Sequence, residues 1–520
     1  MKAPEYFNFA RDVVERWARE RPNASALWCV GEDGSEEKFS FEQLAKDGRR
    51  AAHFFHTLGL QRGDRVLVIL PRVPQWWIAM LGLVRLGVVP IPGTPMLTST
   101  DLRYRIKTAE VSGVITDVDG AAKVENFDGV RLLVGPERPG WSSFDRGVRD
   151  ASAEFDPEPT RSDEPGILYF TSGTTGQPKM VLHTQASYGL AHRLTGELWL
   201  DLKSDDVHWN LSDTGWGKAA WSSFFGPWHM GACVFSVDAR GKFNAVAALK
   251  TLANYAISTW CAPPTALRLM VREDLSVYRF PKLRHCVSAG EPVNPEVISA
   301  WKSATGLTIY EGYGQTETVI LIANFRSLNR EVRPGSMGQP TPGFELALLD
   351  RDLNELPADQ EGEIAIRVRP RGPLGLFREY WRNPEENAAR FCGDWYLTGD
   401  TARRDTDGYY WFVGRADDVI KSAGYRIGPF EVESALVEHA AVVEAAVVGK
   451  ADAVRCQIVK AYVVLRRGHS PSEALRTELQ EHCKRVTAPY KYPREIEFVS
   501  ELPKTISGKI RRIDLRERDT

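Results

Sequence analysis

The run Thr171-Ser172-Gly173-Thr174-Thr175-Gly176-Gln177-Pro178-Lys179 packs glycine, hydroxyl and one cation into nine residues. Glycines let several backbone N–H groups converge on an anion, hydroxyls add donors, and the lysine adds charge. Such a loop suits phosphate. It is not a Gly-Lys-Ser/Thr phosphate loop, because Gln177-Pro178 separates Gly176 from Lys179 and Met180 follows. Three further clusters could do chemistry. Glu311-Gly312-Tyr313-Gly314-Gln315-Thr316-Glu317 holds two carboxylates, a phenol and a hydroxyl. Tyr396-Leu397-Thr398-Gly399-Asp400 ends on an acid, and Pro503-Lys504-Thr505-Ile506-Ser507-Gly508-Lys509 ends on a lysine beside a flexible glycine.

Regular elements must position these groups. Ile167-Leu168-Tyr169-Phe170 reads as a strand that feeds the first loop. Upstream, Arg65 to Leu70 is a β-branched run bounded by Gly63-Asp64 and Pro71, Gln75 to Leu86 has a helical pattern, and Gly87 to Gly93 is the next strand. Strand, helix and strand at this spacing make a βαβ unit. The pattern recurs at Gly113 to Thr116 and Val130 to Val134, while residues 137–163, rich in Pro, Ser, Asp and Glu, read as a surface connection. After about residue 340 two strands, Glu345 to Asp350 and Gly362 to Val368, suggest a small β-subdomain. Beyond Asp417 a helix (Glu431 to His439), two strands (Val442 to Val448, Ile458 to Leu465) and a helix (Pro471 to Arg485) follow, in a length typical of a small domain. The expected fold class is therefore α/β. A large N-terminal domain, 1–416, contains βαβ-type subdomains and a small β-subdomain, and a small α+β C-terminal domain covers 417–520.

Composition narrows the function classes. The 520 residues exceed one ordinary core. A net charge of −2 lacks the basic excess of a dedicated nucleic-acid binder. Seven scattered cysteines with no CxxC pair argue against a zinc ribbon or a disulfide framework and fit a reducing compartment. His53 and His56 share a helix face, but no carboxylate or thiol cluster completes a metal site. The N-terminus opens into an amphipathic helix from Phe9 rather than a signal sequence, and apolar stretches such as Trp76 to Val84 are too short to span a membrane. A cytoplasmic protein without a membrane span is expected.

Two more motifs stand in the same order: Ser288-Ala289-Gly290-Glu291-Pro292, and Phe412-Val413-Gly414-Arg415-Ala416-Asp417-Asp418. With the clusters above, these resemble the adenylate-forming superfamily of acyl-CoA synthetases, luciferases and peptide-synthetase adenylation domains. The resemblance covers nearly the whole chain. It implies that ATP activates a carboxylic acid as acyl-AMP. A carboxylate attacking the α-phosphate meets negative charge along the in-line path. Lys509 can bring a cation there and is, by resemblance, the adenylation lysine. Thr316 is expected to donate to the α-phosphate, Glu317 to ligate Mg²⁺ with waters, and Arg426 to contact phosphate or carboxylate. The resemblance assigns ATP or AMP contacts to Thr171, Ser172, Gly173, Thr174, Thr175, Gly176 and Lys179, to Gly290, Glu291 and Pro292, and to Glu311, Gly312, Tyr313, Gly314 and Gln315. Tyr313 is placed to stack on adenine. Asp400 is expected to accept from two ribose hydroxyls, with Arg415 and Phe412 alongside. Asp417 takes the family's hinge position, about which the mobile C-terminal domain turns between half-reactions.

Within the superfamily the resemblance is closest to medium-chain acyl-CoA synthetases. It rests on Pro4 to Ala10, on Ser212-Asp213-Thr214-Gly215-Trp216, and on Thr487 to Pro493. The acyl pocket is expected from Trp216, Gly217, Lys218 and Trp221, with Tyr313 and Gly314. Lys218 and Trp221 stand at i and i+3, neighbours on a helix. Two bulky groups on one wall shorten a pocket, so a short or compact acid is expected: branched, short straight-chain, or a small ring. By family position Ser422, Ala423, Gly424 and Tyr425 line pantetheine, and Arg455, Lys484, Tyr492 and Arg494 hold the coenzyme A nucleotide. Two residues depart from the pattern: Cys456 replaces a usual glycine, and Met96 a usual polar residue. They leave an amine acceptor, and hence an amide-forming ligase, as the alternative. A non-catalytic sensor of nucleotide or acyl-adenylate is disfavoured by Lys509, Glu317 and Asp400 standing together. No presequence precedes Tyr6, unlike in animal members, so a bacterial or archaeal cytosolic enzyme, monomer or homodimer, is expected. Acetylation of Lys509 would delete the cation the chemistry needs.

Overall fold

In the computed structural model the described residues are 2–124, 126–171, 178–415, 418–422, 425–452, 454–505 and 509–518, with backbone alone for Arg426. Ser172 to Gly176, Asp417, Ala423 and Gly424, which carry several of the assignments above, lie outside them.

Six parallel strands form the centre of the largest sheet, in the spatial order Ile309–Tyr313, His285–Ala289, Thr259–Ala262, Val207–Asn210, Cys233–Val237 and Ser25–Val30. Antiparallel strands extend both edges. Parallel strands are covered on both faces and so read as continuous apolar runs. Alternate residues serve different cores here. Trp260 and Cys286 pack with Leu249, Leu267 and Trp301, whereas Cys261, Val287 and Ala289 pack with Trp199, Leu200 and Phe325. Ligands of such sheets bind beyond the carboxyl ends of the strands. The 289–294 loop, the 313–317 turn and the helix starting at Gly217 all lie at that end.

A second parallel sheet runs Val89–Pro92, Arg65–Ile69, Gly113–Thr116, Val130–Leu133 and Ser142–Ser143. It bears out the expected βαβ units. The stretch 137–163 departs from expectation: it contains the last of these strands and a helix, Phe144–Asp150, capped by Ser143. Phe144 and Val148, one turn apart, anchor that helix in the main core. Two apolar residues in a polar stretch are too few to show periodicity. Three antiparallel strands, Glu379–Tyr380, Lys179–Thr184 and Pro165–Thr171, carry the phosphate-type loop at one end. The β-subdomain contains Leu346–Leu349, Glu361–Arg367, Phe391–Cys392, Trp395–Arg404 and Tyr410–Arg415.

Beyond Arg415 the C-terminal unit begins. Ile420–Ser422, Tyr425–Ile427, Val442–Asp452, Cys456–Leu465 and Glu495–Phe498 form one sheet. Helices Pro429–Glu438 and Glu473–Val486 bury Leu436, Leu479 and Cys483 on one face of it, and the helix Arg512–Glu517 sets Leu515 against Tyr462 on the other. All seven cysteines are free thiols, five of them buried. His53 and His56 both stack on Phe155, ring centroids 5.2 Å apart in each case, which is a packing role. No helix among the described residues is long and apolar enough to cross a membrane.

The helix from Gly217 runs as α-helix to Ala220, π-helix over Trp221–Phe225, and α-helix again over Gly226–His229. π-turns of this kind commonly sit at functional sites. This helix is crossed by the π-helical turn Thr195–Trp199 at a glycine pair: a Cβ on Gly196 would lie 2.4 Å from the Gly226 carbonyl oxygen. The close approach presses Trp199 against Trp221, centroids 5.5 Å apart. Gly196→Ala is expected to cost about 1–3 kcal/mol through overpacking against a backbone that cannot yield. Thermal melts of purified variant and parent check this, and an unchanged melting temperature would disprove the crossing.

Candidate active site

Asp400 sits at the bend of the long strand Trp395–Arg404 and is 5 % exposed. Its Oδ2 accepts from the Tyr313 hydroxyl at 2.7 Å and from Gln315 Nε2 at 2.6 Å, and its Oδ1 faces Arg415 Nε at 3.6 Å. Gln315 Nε2 also donates to the Thr398 carbonyl at 2.8 Å. Burial and the neighbouring Asp400 charge raise the Tyr313 phenol well above its usual range, so it stays a donor. Gln315 Oε1 is buried with no protein partner among the described residues. The cluster thus presents a held carboxylate beside a second, unpartnered acceptor, a set of acceptors suited to ligand hydroxyls. Phe412 lies near the Tyr313 ring, centroids 6.5 Å apart.

Glu317 ends the same turn. Its Oε1 accepts from the Tyr380 hydroxyl at 2.8 Å, and that hydroxyl lies 3.2 Å from the Tyr396 hydroxyl. Burial pushes the Glu317 carboxyl up, an effect that the Tyr380 bond opposes. A largely desolvated carboxylate whose hydrogen-bond donor is a neutral phenol favours a cation beside it. A hard oxygen donor, the Glu317 carboxylate fits Mg²⁺ with waters and substrate oxygens completing its shell. Among the described residues no group of three His, Cys, Asp or Glu gathers as a closed metal cage. Thr316 is fixed from behind. His183 Nε2 lies 2.7 Å from the Thr316 carbonyl, which can only accept, so Nε2 carries the proton and Nδ1 is free to accept from Ser187 Oγ at 3.2 Å. Burial holds the His183 imidazole neutral, pulled down to about 4.

The residues expected to line the acyl pocket come together with the nucleotide side. Tyr188 donates to the Gly217 carbonyl at 3.2 Å, and the Lys218 ammonium donates to the Ala289 carbonyl. A Cβ on Gly290 would lie 2.9 Å from Lys218 Nζ. The 217–221 segment therefore abuts the 289–292 loop. Tyr313 and Gly314 reach the same place through Gly312, whose missing side chain admits Trp199 (a Cβ would lie 2.5 Å from its ring) and so brings Trp221 near. Trp216 precedes the helix and is half-buried. Burial pulls the Lys218 ammonium below the usual lysine range, and the like charge of Lys509 adds to this. The C-terminal lysine is thus within electrostatic reach of Lys218. Lys509 is exposed, and its carbonyl accepts from the Thr505 N–H at 2.7 Å.

Lys179 does not stand open toward the loop it follows. Its ammonium pairs with Glu386, which also binds Arg390 at 3.1 Å. Glu291 pairs with Arg268 at 3.3 Å, and Glu311 is buried, its Oε1 accepting from Val293 N at 3.3 Å while Oε2 has no partner among the described residues. On the C-terminal unit, Lys484 and Arg494 flank the Tyr492 ring at 4.4 and 5.0 Å, and Arg494 donates to the Tyr492 hydroxyl at 3.0 Å. Arg455 and Arg494 both act on Asp452 and hold its carboxyl low, after the backbone bonds that do most of the lowering. Tyr425 stacks on Tyr490, centroids 4.1 Å apart. Ser422 pairs across strands with Cys456, whose φ of +67° is the left-handed backbone that glycine adopts freely. Met96 is 55 % exposed.

Residues 14–381 match the model of the AMP-binding enzyme, and residues 431–509 that of the AMP-binding enzyme C-terminal domain. The chain belongs to the AMP-binding enzyme family. This AMP-binding enzyme is 47 % identical to acyl-coenzyme A synthetase ACSM3, mitochondrial, of Mus musculus, over 100 % of this chain and 92 % of the relative. It is similar in structure to the anthranilate CoA ligase AuaEII, solved with anthranoyl-AMP (TM-score 0.91, 30 % identity, 100 % and 99 % of the two chains). It is also similar to a benzoate CoA ligase from Burkholderia xenovorans LB400 (TM-score 0.87, 29 % identity, 98 % and 100 %).

Sequence reasoning missed the residues that hold the site. Tyr380, His183, Glu386 and Arg268 lie in stretches with no spacing that marks them, and each acts through a neighbour distant in sequence. Glu311 was singled out, but not its buried state. Burial pushes its carboxyl up to about 8 from 4.5. Between these values the folded AMP-binding enzyme carries one more proton than the unfolded chain, so stability falls as pH rises through that window. Glu311→Gln keeps an acceptor for Val293 and removes the titration. Its apparent melting temperature is expected to gain on the parent by several degrees more at pH 8 than at pH 5, with 1 kcal/mol worth on the order of 2–4 °C. Equal differences at both pH values would show an ordinary carboxylate.

Proposed function

We propose that this protein is an ATP-dependent acid–CoA ligase. It joins a short-to-medium or compact carboxylic acid to AMP with release of pyrophosphate, and coenzyme A then displaces AMP to give acyl-CoA. One observation carries the reading: the Lys218 bond to Ala289 sets the expected acyl pocket directly against the expected adenine loop, and the Lys509 charge acts on Lys218 at that junction. An acid seated there has its carboxylate where the α-phosphate and a mobile cation meet. The relative solved with anthranoyl-AMP holds an intermediate of that class.

Each residue has a derivable task. Asp400, oriented by hydrogen bonds from Tyr313 and Gln315, accepts from the ribose, and Gln315 Oε1 adds an acceptor beside it. Thr316, fixed by His183, offers its hydroxyl to the α-phosphate. Glu317 holds Mg²⁺, which supplies charge neutralisation when bound. Lys509 screens the attacking carboxylate from the phosphate charge. For the acceptor, the Lys484, Arg494 and Arg455 face supplies cations for a phosphorylated nucleotide. Cys456 keeps the backbone of the family's glycine, so this departure leaves the pantetheine-side strand pairing intact. That favours coenzyme A over an amine.

Lys509→Ala is expected to lower acid-dependent ATP–pyrophosphate exchange by about 10²–10³-fold, the size of a lost transition-state donor; unchanged exchange would refute its role. A panel of isobutyrate, 2-methylbutyrate, hexanoate, octanoate and benzoate, run with and without coenzyme A, is expected to show the highest kcat/KM for the short or compact acids. Thioester should form only with the thiol, and an optimum at octanoate would overturn the pocket size. Trp221→Ala should raise kcat/KM for octanoate roughly tenfold or more relative to hexanoate, the worth of opening space for added methylenes.

A further inference from the structure

Asn294 occupies the N-cap position of the helix Pro295–Thr305, where asparagine ordinarily accepts from the helix's own N–H groups. Its side chain makes no such bond. It is 4 % exposed and spent elsewhere: Nδ2 donates to Ser434 Oγ at 3.1 Å, and Oδ1 accepts from Arg268 Nη1 at 3.3 Å. Ser434 belongs to the helix Pro429–Glu438 of the C-terminal unit, and Arg268 is the partner of Glu291 in the adenine-side loop. The best capping residue type, set at the cap and diverted from it, joins two units at the end of the loop that Lys218 holds at Ala289.

The seam around this bond is otherwise divided. Arg272 donates to the Val443 carbonyl at 2.8 Å, and Arg512 lies in the attractive field of Glu291. Against these, Glu296 lies in the field of the like-charged Glu438, and Arg272 in that of Arg466, which Glu444 beside it opposes. Docking that balances attraction with repulsion is sensitive to one neutral, geometry-dependent bond.

We infer that Asn294 is a positioning residue whose bond to Ser434 docks the C-terminal unit on the adenine-side loop and so holds Lys509 at the site during adenylation. The inference deepens the ligase reading and rests on it for its kinetic arm. Ser434→Ala is expected to lower ATP–pyrophosphate exchange about three- to tenfold, the worth of one net hydrogen bond. Thioester formation from supplied acyl-AMP and coenzyme A should stay within about twofold, since that step needs no cation at an attacked α-phosphate. Ser434→Thr, which keeps the hydroxyl, should restore exchange. Unchanged exchange in Ser434→Ala, or an equal loss in both half-reactions, would overturn the strut. Hydrogen exchange followed by mass spectrometry decides it apart from turnover. In Asn294→Ala, peptides of Pro429–Glu438 in the other unit should lose protection, and unaltered protection there refutes docking through Asn294. A parent enzyme with neither exchange nor thioester formation would sink the ligase reading alone, leaving the exchange-protection result to judge the strut.

Discussion

Two carboxylates held by phenols, Asp400 buried and Glu317 half-buried, are the constraint on which the rest of the site depends. Asp400 accepts from Tyr313, and Glu317 accepts from Tyr380. A buried acid without a partner would take up a proton, and one locked into a close ion pair would have no charge left for a ligand. A tyrosine hydroxyl stabilises the anion without cancelling it. Burial keeps both phenols neutral and donating. The nearby cations are arranged to suit: Lys179 and Arg390 are both drawn to Glu386, and Arg415 stands 3.6 Å from Asp400 rather than in close contact.

Holding those phenols in place requires the sheets to meet. Tyr313 ends a strand of the largest sheet, Tyr380 lies in the three-stranded one, and Asp400 and Tyr396 come from the β-subdomain. The hydrogen bonds named above therefore join three sheets at one point. Packing supports the junction: Phe377 sits against Tyr380 and Tyr396, centroids 4.7 and 5.4 Å away, and its N–H donates to the Glu317 carbonyl at 2.7 Å. A shift of any one sheet would misplace a donor by more than a hydrogen bond tolerates.

Much of this was legible in the sequence, because its signals are local. The strands at 65–70, 87–93 and 113–116 announce themselves by β-branched runs between glycines and prolines, and the motif residues cluster within a few positions of one another. What stayed hidden is what depends on distance. His183 and Thr316, or Tyr380 and Glu317, are separated by 133 and 63 residues, and nothing local in either partner states the bond. Cys456 shows the reverse case. The sequence marks it as a departure, and only the backbone angle shows that the position still has glycine geometry.

That geometry separates two kinds of exception. A cysteine at φ +67° carries a local steric cost, yet keeps the strand in register with Ser422. Asn294 breaks a local rule in the opposite way: its backbone is ordinary, but its side chain leaves the helix it should cap. Local preferences and global structure agree through most of a natural protein, so such conflicts concentrate where another requirement has won. For Asn294 that requirement is visible, a bond across a seam between two units. For Cys456 the backbone is one that glycine adopts freely, the side chain is an exposed thiol, and nothing in the structure explains the choice of side chain.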